Sequence, residues 1–174
     1  ATIHYMTEKL DQGDLVAQVE TQILPEDTSS SLYKKLNNLV PELVSQFATF
    51  LASPDRRAIP QDGAKATYFR NARRIHRRIF WSTMTSTQIV NLVRACDGSA
   101  YCWLGGQKVF IHRAESVPAN RNMTNQLAVP PGTVVDRHDD ASATVAVQDG
   151  FVCLKKSTGS AFGNVAMEIG QIFT

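Results

Sequence analysis

Thr2-Ile3-His4-Tyr5-Met6-Thr7-Glu8-Lys9-Leu10-Asp11-Gln12-Gly13-Asp14-Leu15-Val16-Ala17 reads as strand, acidic loop, strand, with a carboxylate near the end of the loop. Thr2 to Met6 favour an extended chain, which puts His4 on the face of Thr2 and Met6 and leaves Ile3 and Tyr5 on the other. Glu8 to Asp14 breaks that alternation, and Gly13 is expected to take a positive φ in the turn. The apolar run then resumes at Leu15-Val16-Ala17. One strand pair cannot bury an amphipathic helix and stand alone, so the segment reads as the end of a larger sheet.

Downstream, Pro25-Glu26-Asp27-Thr28 is a helix start with its acids where the dipole favours them. Leu32, Leu36, Leu39, Val40, Leu43, Val44, Phe47, Phe50 and Leu51 follow at three- and four-residue steps as one apolar stripe. Pro41 interrupts the stripe and predicts a kink, or two abutting helices, near Asn38 to Pro41. Ser53-Pro54-Asp55 ends the segment. Residues 54–81 have weak periodicity and a turn signal at Pro60-Gln61-Asp62-Gly63, as a linker would.

Within that linker Arg70, Arg73, Arg74, Arg77 and Arg78 place five positive charges in nine residues. The whole chain carries only +2, so its basic character is local. Such a patch suits a phosphate-bearing partner, with Arg70, Arg73 and Arg74 as the candidate phosphate ligands. A solvated linker face is the alternative, and no aromatic residue interleaves these arginines as a single-strand binder would need.

From Ser86 the pattern changes. Ser86-Thr87-Gln88 caps a short helix through Ile89, Leu92, Val93 and Cys96. Ala100 to Leu104 and Gln107 to His112 read as strands joined by Gly105-Gly106, a two-residue hairpin signal. Thr133 to Asp136, Ala143 to Val147 and Phe151 to Leu154 add three more, the last two joined through Asp149-Gly150. Ser116 to Pro131 reads as a polar loop and Ser157 to Thr174 as a tail with little signal. Trp81 and Trp103 are expected as core anchors, and His112 and His138 as residues without a special role.

Apolar residues make up 43% and charged residues 20%, near globular averages, and no run approaches a membrane span. A cytoplasmic protein is expected. Cys96, Cys102 and Cys153 are odd in number and lack a metal-type spacing, which favours reduced, packed thiols, and no metal site is expected.

The opening stretch, with Leu10-Asp11-Gln12-Gly13-Asp14 at its centre, resembles the 10-formyltetrahydrofolate-dependent formyltransferases of the methionyl-tRNA and sugar N-formyltransferase type. The likeness continues through Ile23-Leu24-Pro25-Glu26-Asp27-Thr28, Ser31-Leu32-Tyr33, Ala66-Thr67-Tyr68, Ile79-Phe80-Trp81, Ile89 to Ala95, Ala100-Tyr101, Gly106-Gln107-Lys108-Val109 and Pro131-Gly132-Thr133-Val134. It covers nearly the whole chain in order. Two places depart from it: Phe80 stands where the family has Asp before Trp, and Cys96-Asp97-Gly98-Ser99 replaces a Pro-x-Pro-Gly.

The resemblance implies an α/β remnant, the end of a Rossmann-like formyltransferase domain (strand-loop-strand plus long helix), at 1–53. A basic linker at 54–81 and a small OB-like β-barrel at 82–174 would follow. It implies Asp11 and His4 as catalytic residues and Glu8, Lys9, Leu10 and Gly13 as the loop that receives 10-formyltetrahydrofolate. On residues alone the turn cap beside Gly13 is the favoured reading of Asp11, and His4 stands evenly between site wall and satisfied core histidine. The family's upstream Asn-x-His element does not occur, so the chain reads as the later part of a larger enzyme whose missing N-terminal segment is its first partner. Formyl transfer to an amine is then the expected activity, with an amino sugar on a nucleotide carrier as first acceptor and methionyl-tRNA as second. A formyltetrahydrofolate hydrolase, and a non-catalytic module that binds RNA or a partner, stand as alternatives.

Overall fold

Thr2–His4 forms β1 and pairs antiparallel with β2, Leu15–Gln18, in the register Thr2↔Gln18, Ile3↔Ala17 and His4↔Leu15. The step from Ala17 to Leu15 leaves Val16 as an extra residue, a bulge that re-aims the strand end where His4 sits. The computed structural model describes residues 1–117, 129–138, 142–155 and 167–174. It divides into two compact units, Ala1–Arg70 and Asn71–Thr174.

In the first unit the expected helix is two helices, α1 at Ser29–Asn38 and α2 at Val40–Ala52, meeting at Leu39. Pro41 lies in the first turn of α2, where its missing N–H breaks no intrahelical bond. Thr28 caps α1: its hydroxyl accepts from the Ser31 amide at 3.2 Å, and the Ser31 hydroxyl accepts from the Thr28 amide at 3.0 Å. One residue earlier Asp27 is buried and accepts from the Leu24 amide (2.8 Å), the Ser31 hydroxyl (2.8 Å) and Lys35 Nζ (2.6 Å). Those donors, the Lys35 ammonium foremost, hold its carboxyl down at about 2. Leu43 of α2 packs on Ala17 and Val19, with Ile3 and Leu39 at the margin.

The residues expected as linker divide between the units. Ile59 exchanges backbone hydrogen bonds with Leu15, 2.8 Å each way, and lies along the free edge of β2. Ile79 and Trp81 belong to the second unit's core, at 0% and 3% exposure.

That unit contains α3, Ser86–Cys96, capped one residue earlier than expected by Thr85, whose hydroxyl accepts from the Gln88 amide at 3.3 Å. β3 (Ala100–Leu104) and β4 (Gln107–Ile111) form the expected hairpin. Gly105 and Gly106 both have positive φ, 55° and 78°, which is why two glycines stand there. After His112 the chain enters β5, Arg113–Val117, a strand not expected from the sequence, whose last two residues fall in the stretch expected as a polar loop from Ser116. β6 (Val134–Arg137), β7 (Ala143–Val147) and β8 (Gly150–Lys155) complete an antiparallel sheet in the order β5-β8-β7-β6. Most of that loop, 118–128, and the first part of the tail, 157–166, lie outside the described residues.

The expected OB-like barrel is not closed among the described residues, because β3-β4 and β5-β8-β7-β6 are separate sheets. The C-terminal residues lace the two together. Thr174 exchanges backbone hydrogen bonds with Trp103 of β3 at 2.8 Å each way, while the Val134 amide donates to Gln171 at 2.8 Å and that of Phe173 to Gly132 at 2.9 Å. The end of the tail is therefore structural. Phe173 is buried and stacks on Trp81 with ring centroids 5.3 Å apart. Trp103 is not in that core: it lies half-buried on the opposite face of β3 from Ala100, Cys102 and Leu104. A further tie comes from the β7–β8 turn, where Asp149 accepts from the Ser86 amide (2.7 Å) and hydroxyl (3.1 Å) at the start of α3.

Candidate active site

The loop between β1 and β2 is closed by the Tyr5 amide donating to the Asp14 carbonyl at 3.0 Å. Gly13 does not take the expected positive φ. Instead a Cβ there would lie 1.7 Å from the Tyr5 carbonyl oxygen, so glycine is required by close approach of backbone to backbone. The left-handed residue is Asp11, at φ 57°, which costs of order 1 kcal/mol for a residue with a Cβ.

Asp11 is 94% exposed at the tip, and its Oδ1 lies 3.7 Å from His4 Nε2. His4 Nδ1 donates to the Tyr5 carbonyl at 2.8 Å, which orients the ring and leaves Nε2 facing the carboxylate. At that distance and exposure the pair contributes little to stability. It is instead a carboxylate and an imidazole held within reach of one another at an open surface, able to orient a third group or pass a proton. Glu8, Lys9 and Leu10 are exposed on the same loop, where Thr7 Oγ1 donates to the Lys9 carbonyl at 2.8 Å.

One participant was not singled out in the sequence. Gln61 Nε2 donates to the carbonyls of Asp11 (2.9 Å) and Gly13 (2.6 Å), reaching the loop from the segment that Ile59 pairs to β2. The spacing of 50 and 48 residues leaves no periodic signal.

Arg70 ends the first unit and Arg73 and Arg74 open the second, all three exposed. Two basic residues of the second unit have aromatic partners, each close by in the sequence. Arg78 lies over Phe80 at 5.0 Å, and Lys108 lies 3.8 Å from the centroid of Tyr101 and 4.9 Å from that of Phe110. Tyr101 and Phe110 are cross-strand neighbours on the outer face of β3-β4.

Cys96 and Cys102 are poor nucleophiles. Burial pushes Cys102 up to about 12, against smaller opposing pulls from the Trp81 indole and Arg78, and burial also raises Cys96. Among the described residues no group of three His, Cys, Asp or Glu side chains could hold a metal ion, and no helix is long and apolar enough to cross a membrane.

A strand-loop-strand that presents a carboxylate and an imidazole, followed by helices and a separate β-rich unit, matches known proteins along its length. The family model described as Formyl transferase, C-terminal domain, matches residues 72–164, and the one described as Formyl transferase matches residues 1–47. The chain belongs to the formyl transferase family.

Among curated relatives, the methionyl-tRNA formyltransferase of Bacillus cytotoxicus is 34% identical over 83% of this chain and 44% of its own length. That of Bacillus velezensis is 34% identical over 77% of this chain and 41% of its own length. The chain thus spans less than half the length of these relatives. Among solved structures, a variant of HypX from Aquifex aeolicus matches with a TM-score of 0.64 at 20% identity, over 88% of this chain and 27% of that one. HypX in complex with tetrahydrofolic acid matches with the same score at 21% identity, over 88% and 26%. At that identity the likeness is one of fold.

Proposed function

We propose that the chain is the later part of an enzyme that transfers the formyl group of 10-formyltetrahydrofolate to an amine, and that the amine is that of methionyl-tRNA. The observation that carries the activity is the open Asp11–His4 pair on a loop whose conformation Gly13 and the flanking strands enforce. The relatives at 34% identity are methionyl-tRNA formyltransferases, which favours tRNA over the nucleotide-linked amino sugar expected first. Tetrahydrofolic acid bound to a protein of the same fold supports the donor.

Transfer requires an amine to attack the formyl carbon, a donor to the resulting oxyanion, and a proton path from the amine to the departing nitrogen. Asp11 would orient an imidazole and favour its protonated form, and His4 beside it would form part of the wall and of the proton path. Glu8, Lys9, Leu10 and Gly13 would line the pocket for the folate's ring. The oxyanion contact would fall to residues outside this chain, whose match covers 44% of the relative's length. Arg73, Arg74, and Lys108 with the exposed Phe110 beside it, would meet the tRNA through phosphate contacts and stacking.

The test uses the full-length gene product with 10-formyltetrahydrofolate and, in turn, methionyl-tRNA, a nucleotide-linked amino sugar, or neither. Tetrahydrofolate release that depends on methionyl-tRNA is the expected result. Sugar-dependent release would replace the acceptor, and equal release without any amine would make the protein a hydrolase. Replacing Arg73 and Arg74 by Ala should lower the salt dependence of tRNA affinity by about one unit of slope per arginine.

A further inference from the structure

The geometry points to Gln61 as the positioning residue of the Asp11 loop, an inference that takes the proposed transferase reading as its setting. A primary amide nitrogen has two hydrogens, and here each is directed at one loop carbonyl, those of Asp11 and Gly13. The two carbonyls flank Gln12, so a single side chain fixes both ends of the short arc that carries the left-handed Asp11.

The clamp is itself anchored. Ile59 is hydrogen-bonded on both sides to Leu15, the first residue of β2, and two residues later the extended chain returns Gln61 to the same face. Pro60, which has no N–H to lose, fills the position between. Asp11 itself is 94% exposed and gains no packing that would hold it. The carboxylate's place relative to His4 therefore depends on its backbone, and that backbone is gripped at its carbonyls by Gln61.

In catalysis such a residue acts on the rate of the chemical step and not on acceptor binding, because it touches Asp11 and not the amine. The experiment compares Gln61→Met, which keeps the stem and removes both donors, with Gln61→Lys, which restores donors at the end of an unbranched stem. Both are made in the full-length gene product. Amide hydrogen exchange at the residues that close the loop, Tyr5, whose N–H donates to Asp14, and Leu15, whose N–H donates to Ile59, and steady-state formyl transfer are measured in each.

For Gln61→Met, exchange in the loop should rise about tenfold, the scale of one or two lost net hydrogen bonds. Its kcat should fall by about tenfold to a hundredfold with the acceptor KM unchanged, and Gln61→Lys should recover most of both losses. Unchanged loop exchange in the Met variant would overturn the clamp. So would equal damage in the Met and Lys variants, since donors would then not matter. Faster exchange with an unaltered kcat would overturn the link to catalysis. If the wild type transfers no formyl group, the exchange measurement still decides the clamp, and the failure falls on the proposed activity alone.

Discussion

Residues 1–70 bury only a thin apolar set, Ala17, Val19 and Leu43, whereas residues 71–174 enclose a continuous core from Ile79 and Trp81 to Leu154 and Phe173. The first unit leaves Tyr5, Met6, Leu10, Ile23, Val44, Leu51 and Ile59 largely exposed while carrying the loop on which the chemistry is proposed to depend. The second is closed by its own tail and by Asp149. The difference is physical. A two-stranded ribbon with a pair of helices can hold a loop's local geometry by backbone hydrogen bonds and a glycine contact, but it removes too little apolar surface to offset the entropy of folding. A second antiparallel sheet packed across α3 does remove enough.

Separating the units is the most severe way to break this comparison. Residues 71–174 expressed alone should unfold in one cooperative thermal transition, and residues 1–70 alone should give none by circular dichroism. A cooperative transition in the shorter piece would mean that its small core suffices.

Asp11→Asn in the full-length gene product comes next. It removes only a charge at an exposed tip, so formyl transfer should fall by ~100-fold or more with thermal stability unchanged. Phe173→Ala, by contrast, should leave the loop untouched and destabilise the second unit by roughly 3–5 kcal/mol, read as a lower denaturant midpoint. A midpoint like that of the wild type would show that the tail is not part of the core. Asp149→Ala in the same unit deprives the α3 start of its acceptor and should cost about 1–2 kcal/mol.

The smallest effect is expected from acid. The Asp27 carboxyl is lowered to about 2 from an ordinary 3.8, so its stabilisation is present above the ordinary value. It is lost as pH falls from there through about 2. In the full-length product, the acid limb of stability in the first unit should be shallower in Asp27→Asn; an identical limb would remove Asp27 from it.

Much of the local plan could be read directly. Pro41 split the helix where expected, Gly105-Gly106 made the hairpin, and Ala143 to Val147 appears with the bounds read for it. Caps, turns and periodicity act within a few residues, so they leave their mark in the order of the chain. The ordered landmarks from Ile3 to Val134 likewise point to the family.

Four features needed the tertiary structure. Gly13 serves close approach to Tyr5 and not a positive φ, because only the returning strand brings that carbonyl near. Gln61 meets the Asp11 loop, Asp149 meets Ser86, and Phe173 meets Trp81 across separations that no local rule spans. The amino-acid order by itself determined which stretches become helix, strand or turn and which family the chain belongs to, since those depend on neighbours along the chain. Which side chain grips the loop, and which ring stacks on Trp81, was decided only when folding brought distant backbone and side chains within hydrogen-bond and van der Waals range.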